Sequence, residues 1–204
     1  GPRPMRNQDN SEAKVNREER DSLLVGLIRP LATAKWACDY GWDYLEQALA
    51  GFEQDYGLNL EPDFQRGHVW TPEQQAHYIE NVYRRVIPHE AMLIQFSCPH
   101  FENWDYEGDL PREMQIVDGL QRLTAVRKFL AGEVRPFGLS VVDLAGSSYD
   151  ARRQLYRLRI AVHTFQTRQD LLQHYLDLNV GGTPHAASEI DRVRGLLAAA
   201  KPVT

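Results

Sequence analysis

Met114-Gln115-Ile116-Val117-Asp118-Gly119-Leu120-Gln121-Arg122-Leu123-Thr124 changes its hydrophobic period in mid-run. Met114 to Val117 is apolar and partly β-branched, as a buried strand requires, and it stops at Asp118-Gly119. From Leu120 to Leu130 the spacing is helical, with Leu123, Val126 and Leu130 on one side and Gly132 beyond the end. A strand that becomes a helix across a single glycine belongs to an α/β or α+β architecture, in which a small mixed sheet is flanked by helices.

The same alternation continues in both directions. Upstream, Tyr44, Leu45, Ala48, Leu49 and Phe52 predict a helix over 43–56, stopped by Gly57, and Leu58 to Leu60 predict a short strand. Thr71, Pro72 and Gln74 have the spacing of a capping box with proline at the first helical position, and Tyr78, Ile79, Val82, Tyr83 and Val86 share the face that follows. Ala91 to Phe96 predict a buried strand, and 99–113, with five acids and one arginine, an exposed excursion. Downstream, 134–145 predict a loop and a strand, and Arg159 to Phe165 a further strand. A helix from Arg168 to Leu178, a turn over 179–184 and a last helix from about 186 to 200 complete the pattern. Residues 1–20 are polar and read as a flexible lead-in or a helix that docks late, with Gly1-Pro2 as the scar of a tag protease, and Ser22 to Leu31 as a first ordered, apolar segment. Residues 21–204 then form one domain.

Composition narrows the classes. The 204 residues include 23 lysines and arginines against 28 acids, a net charge of −5, with 43% apolar and 25% charged residues. Those proportions exclude a disordered chain, a collagen-like fibre and a coiled coil. Two cysteines, Cys38 and Cys98, exclude a disulfide scaffold, and neither lies in a Cys-x-x-Cys pair. No apolar run is long enough to span a bilayer, and 3–11 lack a signal-peptide core, so no membrane association is expected. There is no P-loop, no Gly-x-Gly-x-x-Gly, no Gly-x-Ser-x-Gly, no His-Glu-x-x-His and no zinc-deaminase pattern.

Three polar clusters lie at the ends of regular elements: Phe64-Gln65-Arg66-Gly67 with Trp70, Asp118-Gly119-Leu120-Gln121-Arg122, and Asn179-Val180-Gly181-Gly182-Thr183 with Glu189. In the second, the strand delivers Asp118 to a turn, and the first backbone N–H groups of the next helix are unspent donors suited to a phosphate. Arg122 offers a fork of donors to phosphate oxygens, with Gln121 beside it. Asp118 can hold Mg²⁺ or accept a proton from an attacking hydroxyl. The plainer alternative is a capping aspartate paired with Arg122. Gln65 and Arg66 could clamp a second phosphate. Gly181 and Gly182 permit close backbone approach, with Asn179 and Thr183 beside them, although a helix–helix turn capped by Thr183 or Ser188 explains the same residues. Trp70 reads first as a core anchor, and Trp70, Trp104 or Tyr106 could brace an extruded base.

Leu60-Glu-Pro-Asp-Phe-Gln-Arg-Gly-His-Val-Trp70, Ile116-Val-Asp-Gly-Leu-Gln-Arg-Leu-Thr124 and Leu178-Asn-Val-Gly-Gly-Thr-Pro184 with Glu189 together resemble the N-terminal domain of GmrSD-type restriction proteins, of the ParB/sulfiredoxin superfamily. The resemblance runs from about 36 to 197 and implies a ParB-like fold that binds or turns over ATP or GTP with Mg²⁺. The family's Asp-Gly-Gln-Gln-Arg motif, tied to that activity, maps onto Asp118, Gly119, Gln121 and Arg122, with Gln65 and Arg66 opposite. The implied set is Asp118, Gln121 and Arg122 for catalysis, Asp118 for the metal, and Gln65, Arg66, Gly119, Arg122, Thr124, Asn179, Gly181, Gly182 and Thr183 for the nucleotide. The superfamily also contains phosphotransferases, among them a free-serine kinase and sulfiredoxin, and extends toward phage DNA hypermodification. Two departures matter. Leu120 stands where the family has its first glutamine, which would weaken hydrolysis relative to transfer if that side chain positions water. No His-Asn-His-type nuclease motif appears before Thr204, which favours direct catalysis by this domain.

From 151 to 169 there are five arginines, Arg152, Arg153, Arg157, Arg159 and Arg168, and no acid before Asp170. Such a strip can follow a DNA backbone or simply be a solvated face; Arg152, Arg153 and Arg157, with Trp70, are the DNA-binding candidates. The leading expectation is an NTP-dependent DNA kinase that phosphorylates a hydroxyl, a hydroxymethylated pyrimidine of phage DNA being one acceptor. The alternatives are an NTPase component of a modification-sensing restriction system and a non-catalytic ParB-like DNA- or nucleotide-binding module. The expected compartment is the cytoplasm of a bacterial or phage-infected cell.

Overall fold

A computed structural model describes residues 1, 6–65, 67, 69–181 and 187–200. The chain divides into two units, 1–32 and 33–204. The first carries one helix, α1 (Arg6–Ile28), which runs through the polar lead-in and on into the apolar stretch, and its Leu23, Leu27 and Ile28 are exposed.

The second unit is a mixed sheet with helices on both faces, the α/β architecture expected. Its strands are β1 (Trp36–Gly41), β2 (Leu58–Asn59), β3 (Leu93–Ser97), β4 (Met114–Asp118) and β5 (Arg157–His163), in the order β1-β5-β3-β4-β2. β5 runs antiparallel to β1 and parallel to β3; β4 runs antiparallel to β3 and parallel to β2. The helices are α2 (Leu45–Tyr56), α3 (Pro72–Tyr83), α4 (Leu120–Leu130), α5 (Arg168–Gly181) and α6 (Ala187–Ala199).

Successive residues of a strand point to opposite faces, and β4 shows the consequence. Ile116 packs into a cluster with Leu45 and Phe52 of α2, Ile79 of α3 and Leu123 and Phe129 of α4. Its neighbour Val117 packs into a second cluster with Phe64, Leu171, Leu172 and Tyr175 of α5 and Val193 of α6. Each helix contributes a stripe at helical spacing; in α2 it is Leu45, Ala48, Leu49 and Phe52. The capping box at α3 is present: Thr71 accepts from the Gln74 backbone at 3.2 Å, and Gln74 accepts from the Thr71 backbone at 2.9 Å.

Four local expectations change. Trp36 to Gly41 is a strand that its mixed polar sequence does not announce. Residues 134–145 hold a 3-10 turn over Pro136–Gly138 and no strand. The acidic excursion over 99–113 is anchored by buried Tyr106 and Leu110, the Tyr106 hydroxyl donating to the Gln166 carbonyl at 2.7 Å. Finally, α5 continues through Asn179 to Gly181 where a turn was expected, and the Asn179 side chain donates to the Tyr175 carbonyl one turn back, at 2.8 Å.

Candidate functional site

β4 ends at Asp118, and Gly119 makes the turn into α4 with φ of 96°. The conformation calls for glycine, and so does the space. A Cβ at 119 would meet the Ile94 side chain at 2.7 Å, the Leu93 carbonyl at 3.0 Å and the Arg122 guanidinium at 3.1 Å. Strand β3 therefore presses directly on the head of α4.

Arg122 fills the space so formed. Its Nη2 donates to the Leu93 carbonyl at 2.7 Å and to Asp118 Oδ2 at 3.1 Å. The Arg122 side chain is 17% exposed and that of Asp118 38% exposed, so the pair is open on the carboxylate side. Arg122 Nε is buried with no partner among the described residues. A buried donor left unpaired costs about 1–3 kcal/mol, and this one can meet an incoming acceptor only if the side chain turns.

The remaining sequence candidates distribute as follows. Gln121 Oε1 accepts the Trp70 backbone N–H at 2.8 Å, which ties the loop before α3 to the first turn of α4. Thr124 is half-buried in the next turn. Gln65 is half-buried, with its backbone N–H on the Pro62 carbonyl at 2.9 Å. Phe64 beside it is fully buried against Tyr175. Arg192 of α6 donates to the carbonyls of Asp63 and Phe64 at 2.7 and 2.9 Å, and Arg168 of α5 pairs with the Asp63 carboxylate. The first cluster is thus joined to the second through Trp70 and Gln121, and to the helices that carry the third through Phe64, Arg168 and Arg192. Asn179 spends its amide on its own helix, and Gly181 closes α5. Arg66, Gly182 and Thr183 lie outside the described residues, as does the side chain of Glu189.

Leu120 packs against the core on the α2–α3–α4 side. A glutamine's absence there is therefore a matter of packing, and the preference for transfer over hydrolysis inferred from it loses its basis.

The arginine strip is divided among three tasks. Arg152 Nη2 holds Asp150 at 2.7 Å. Asp150 also accepts the Gly146 backbone at 2.7 Å and is held well below the usual carboxylate range, chiefly by Arg152. That is a loop clasp. Arg153 is exposed. Arg157 and Arg159, at the start of β5, share Asp39 of β1 at 3.8 and 3.1 Å, with about half of each side chain exposed. Leu93 is the register partner of Arg159 and Gln95 that of Asp118. The start of β5 and the end of β4 therefore lie at the same end of the sheet, so Arg157 and Arg159 are at the end that carries Asp118.

Three residues that belong to no sequence motif meet beneath this point. Gln95 Oε1 accepts from Nε2 of both His163 and His174, at 2.9 and 3.2 Å, and all three are buried. An amide oxygen can only accept, so each ring carries a proton at Nε2, and burial favours the neutral form of both. Burial, reinforced by His174, pushes His163 down to about 4. Burial also lowers His174, opposed by the charges of Asp177 and Asp118. The register of β3 on β4 shifts between Gln95 and Phe96, so a bulge and this buried triad support the strand end that presents Asp118.

Cys98 is buried, and burial drives its thiol up to about 12, which leaves it a poor nucleophile at neutral pH. Among the described residues no three of His, Cys, Asp or Glu gather as a metal cage, and no helix is long and apolar enough to cross a membrane.

No curated protein and no solved structure matches the chain. The family of the GmrSD restriction endonuclease, N-terminal domain, matches residues 45–179, from the start of α2 to the last turn of α5, a span that takes in β4, Asp118 and the whole of α4; the chain belongs to that family.

Proposed function

We propose that the head of α4 is a nucleoside triphosphate site and that the chain transfers the γ-phosphate to a hydroxyl on DNA. One observation carries the proposal: Arg122 and Asp118 stand paired, and open on the carboxylate side, at the start of a helix whose first turn contains no acid. An arginine fork and unspent helix N–H groups suit an anion, and a neighbouring carboxylate suits the proton that an attacking hydroxyl must lose. In the step proposed, the acceptor oxygen bonds to the γ-phosphorus as the bond from phosphorus to the bridging oxygen of the β-phosphate breaks. Asp118 takes the hydroxyl proton, Arg122 neutralises the transferred oxygens, and the nucleoside diphosphate leaves.

Asp118 is also the carboxylate that would hold Mg²⁺, and where it does so the hydroxyl proton passes to a phosphate oxygen or to water instead. When bound, the ion neutralises phosphate charge. Gln121 acts by holding the Trp70 loop against α4. DNA would approach along the sheet end that carries Arg157 and Arg159, with Arg153 as a further exposed cation. A ParB-like ancestry is part of the proposal.

The family's description as a restriction endonuclease domain favours a second reading, in which water is the acceptor and hydrolysis drives a modification-sensing restriction system. Incubation with γ-labelled ATP or GTP, Mg²⁺ and plain or hydroxymethylated DNA separates the two. Label recovered in DNA establishes transfer, free labelled phosphate alone establishes hydrolysis, and intact nucleotide in every tube overturns both.

A further inference from the structure

The loop that Gln121 ties to α4 opens onto a groove of about 450 Å³ along α3, lined by Trp70, Glu73, Gln74, His77, Tyr78 and Asn81. We infer that this groove is a nucleobase subsite, an assignment that rests on the triphosphate reading of the α4 head.

The groove has the chemistry a flat heterocycle needs. Trp70 and Tyr78 form its aromatic part, with ring centroids 5.6 Å apart and tilted by 48°. Tyr78 is fixed from below: it is 6% exposed, and its hydroxyl donates to the Ala91 carbonyl at 2.6 Å. Trp70 is fixed through its backbone, by Gln121 Oε1 at 2.8 Å and by the long contact from Gln75 Nε2 to its carbonyl at 3.5 Å. Gln75 itself is 2% exposed, and its side-chain oxygen is buried without a partner among the described residues. Buried Tyr78 thus backs the indole of Trp70, whose backbone is held at both its N–H and its carbonyl, and the partly exposed Trp70 ring is the surface on which a ligand would stack.

The rim carries both donors and acceptors. The Glu73 carboxylate can only accept. Asn81 Nδ2 lies 3.1 Å from His77 Nε2, so an amide and an imidazole, groups able both to donate and to accept, stand together on the rim. A base edge has the same mixture of N–H donors and carbonyl or ring-nitrogen acceptors, whereas an aliphatic ligand would leave these groups unmatched.

Position is the second line of support. The bond from the Trp70 backbone to Gln121 fixes the groove one residue from Arg122, and the positive charge of Arg122 is felt at Tyr78, where it opposes the upward push of burial on the phenol. A triphosphate on Arg122 and a base on Trp70 can therefore belong to one ligand. An extruded base of the DNA acceptor offers the same flat chemistry.

Binding of ATP, GTP, inorganic tripolyphosphate, a single-stranded oligonucleotide and its abasic counterpart to the full chain tests the assignment. Trp70→Ala is expected to weaken its base-bearing ligand about tenfold or more, as loss of one stacking partner does, and Trp70→Tyr to restore most of that affinity. His77→Ala and Asn81→Ala, substitutions at the rim of α3, are expected to weaken the same ligand several-fold, which guards against a fold defect at 70. If the base belongs to the nucleotide, ATP or GTP weakens while tripolyphosphate does not. If it belongs to DNA, the intact oligonucleotide weakens while the abasic one does not. Equal weakening of ligands with and without bases, or no weakening of either, overturns the subsite. Failure of the parent chain to bind both tripolyphosphate and nucleotides instead overturns the triphosphate reading, and the oligonucleotide pair then still decides the groove.

Discussion

Gly119 and Asp118 are adjacent in sequence but fail in different ways when changed. Gly119→Ala places a methyl group against the Leu93 carbonyl at a φ of 96°, so both strain and collision act. We expect it to lower stability by about 1–3 kcal/mol and to displace Arg122, seen as a lower urea midpoint together with weaker nucleotide binding. Asp118→Asn keeps the shape and removes the charge. It is expected to abolish turnover while the urea midpoint stays close to that of the parent, and an active Asp118→Asn chain would remove the carboxylate from the chemistry. These two residues were readable from the run around 118, because a strand that meets a helix across one glycine is a local pattern. His163, His174 and Gln95 were not readable: they lie on β5, α5 and β3 and become a group only when those elements pack.

At the scale of elements, α3 depends on its first turn. Thr71→Ala removes one half of the capping box, and the expected cost is about 1 kcal/mol, measured by chemical denaturation. The α3 cap, the α2 stripe and the β4–α4 passage were all legible, since each is written in residues a few positions apart. What escaped notice was written elsewhere. β1 is an edge strand whose Cys38 and Asp39 break any apolar run, and its identity comes from pairing with β5. Tyr106 and Leu110 sit among acids, and only the fold shows them turned into the second core. At the end of α5, Asn179 and the glycines looked like a stop, but the asparagine amide bonds back along the helix and the backbone continues through Gly181.

The whole molecule carries two charge effects that can be measured. His163 and His174 are held neutral in the folded state, with His163 lowered from 6.5 to about 4, so the unfolded chain binds more protons below the ordinary histidine range. Their contribution to stability is complete above about 6.5 and is lost as pH falls toward 4. The urea midpoint is therefore expected to drop between pH 7 and pH 5, and an unchanged midpoint would contradict the burial of two neutral rings. The second effect concerns DNA. Arg153→Ala with Arg157→Ala is expected to lower DNA affinity and to flatten its dependence on salt, whereas Arg152→Ala should act mainly through loss of the Asp150 clasp, as a lower melting temperature. An unaltered salt slope in the double variant would make those arginines ordinary surface.

Asp118 and Arg122 each have the other as a partner. A cation that captures the carboxylate sets the guanidinium free, and an anion that captures the guanidinium sets the carboxylate free. Whichever arrives first bears the cost of parting them, so the later arrival binds more tightly than it would by itself. On the nucleotide reading proposed above, thermodynamic reciprocity requires Mg²⁺ to tighten nucleotide by the same factor as nucleotide tightens Mg²⁺, and a pair of crossed titrations would measure how firmly the two side chains hold each other.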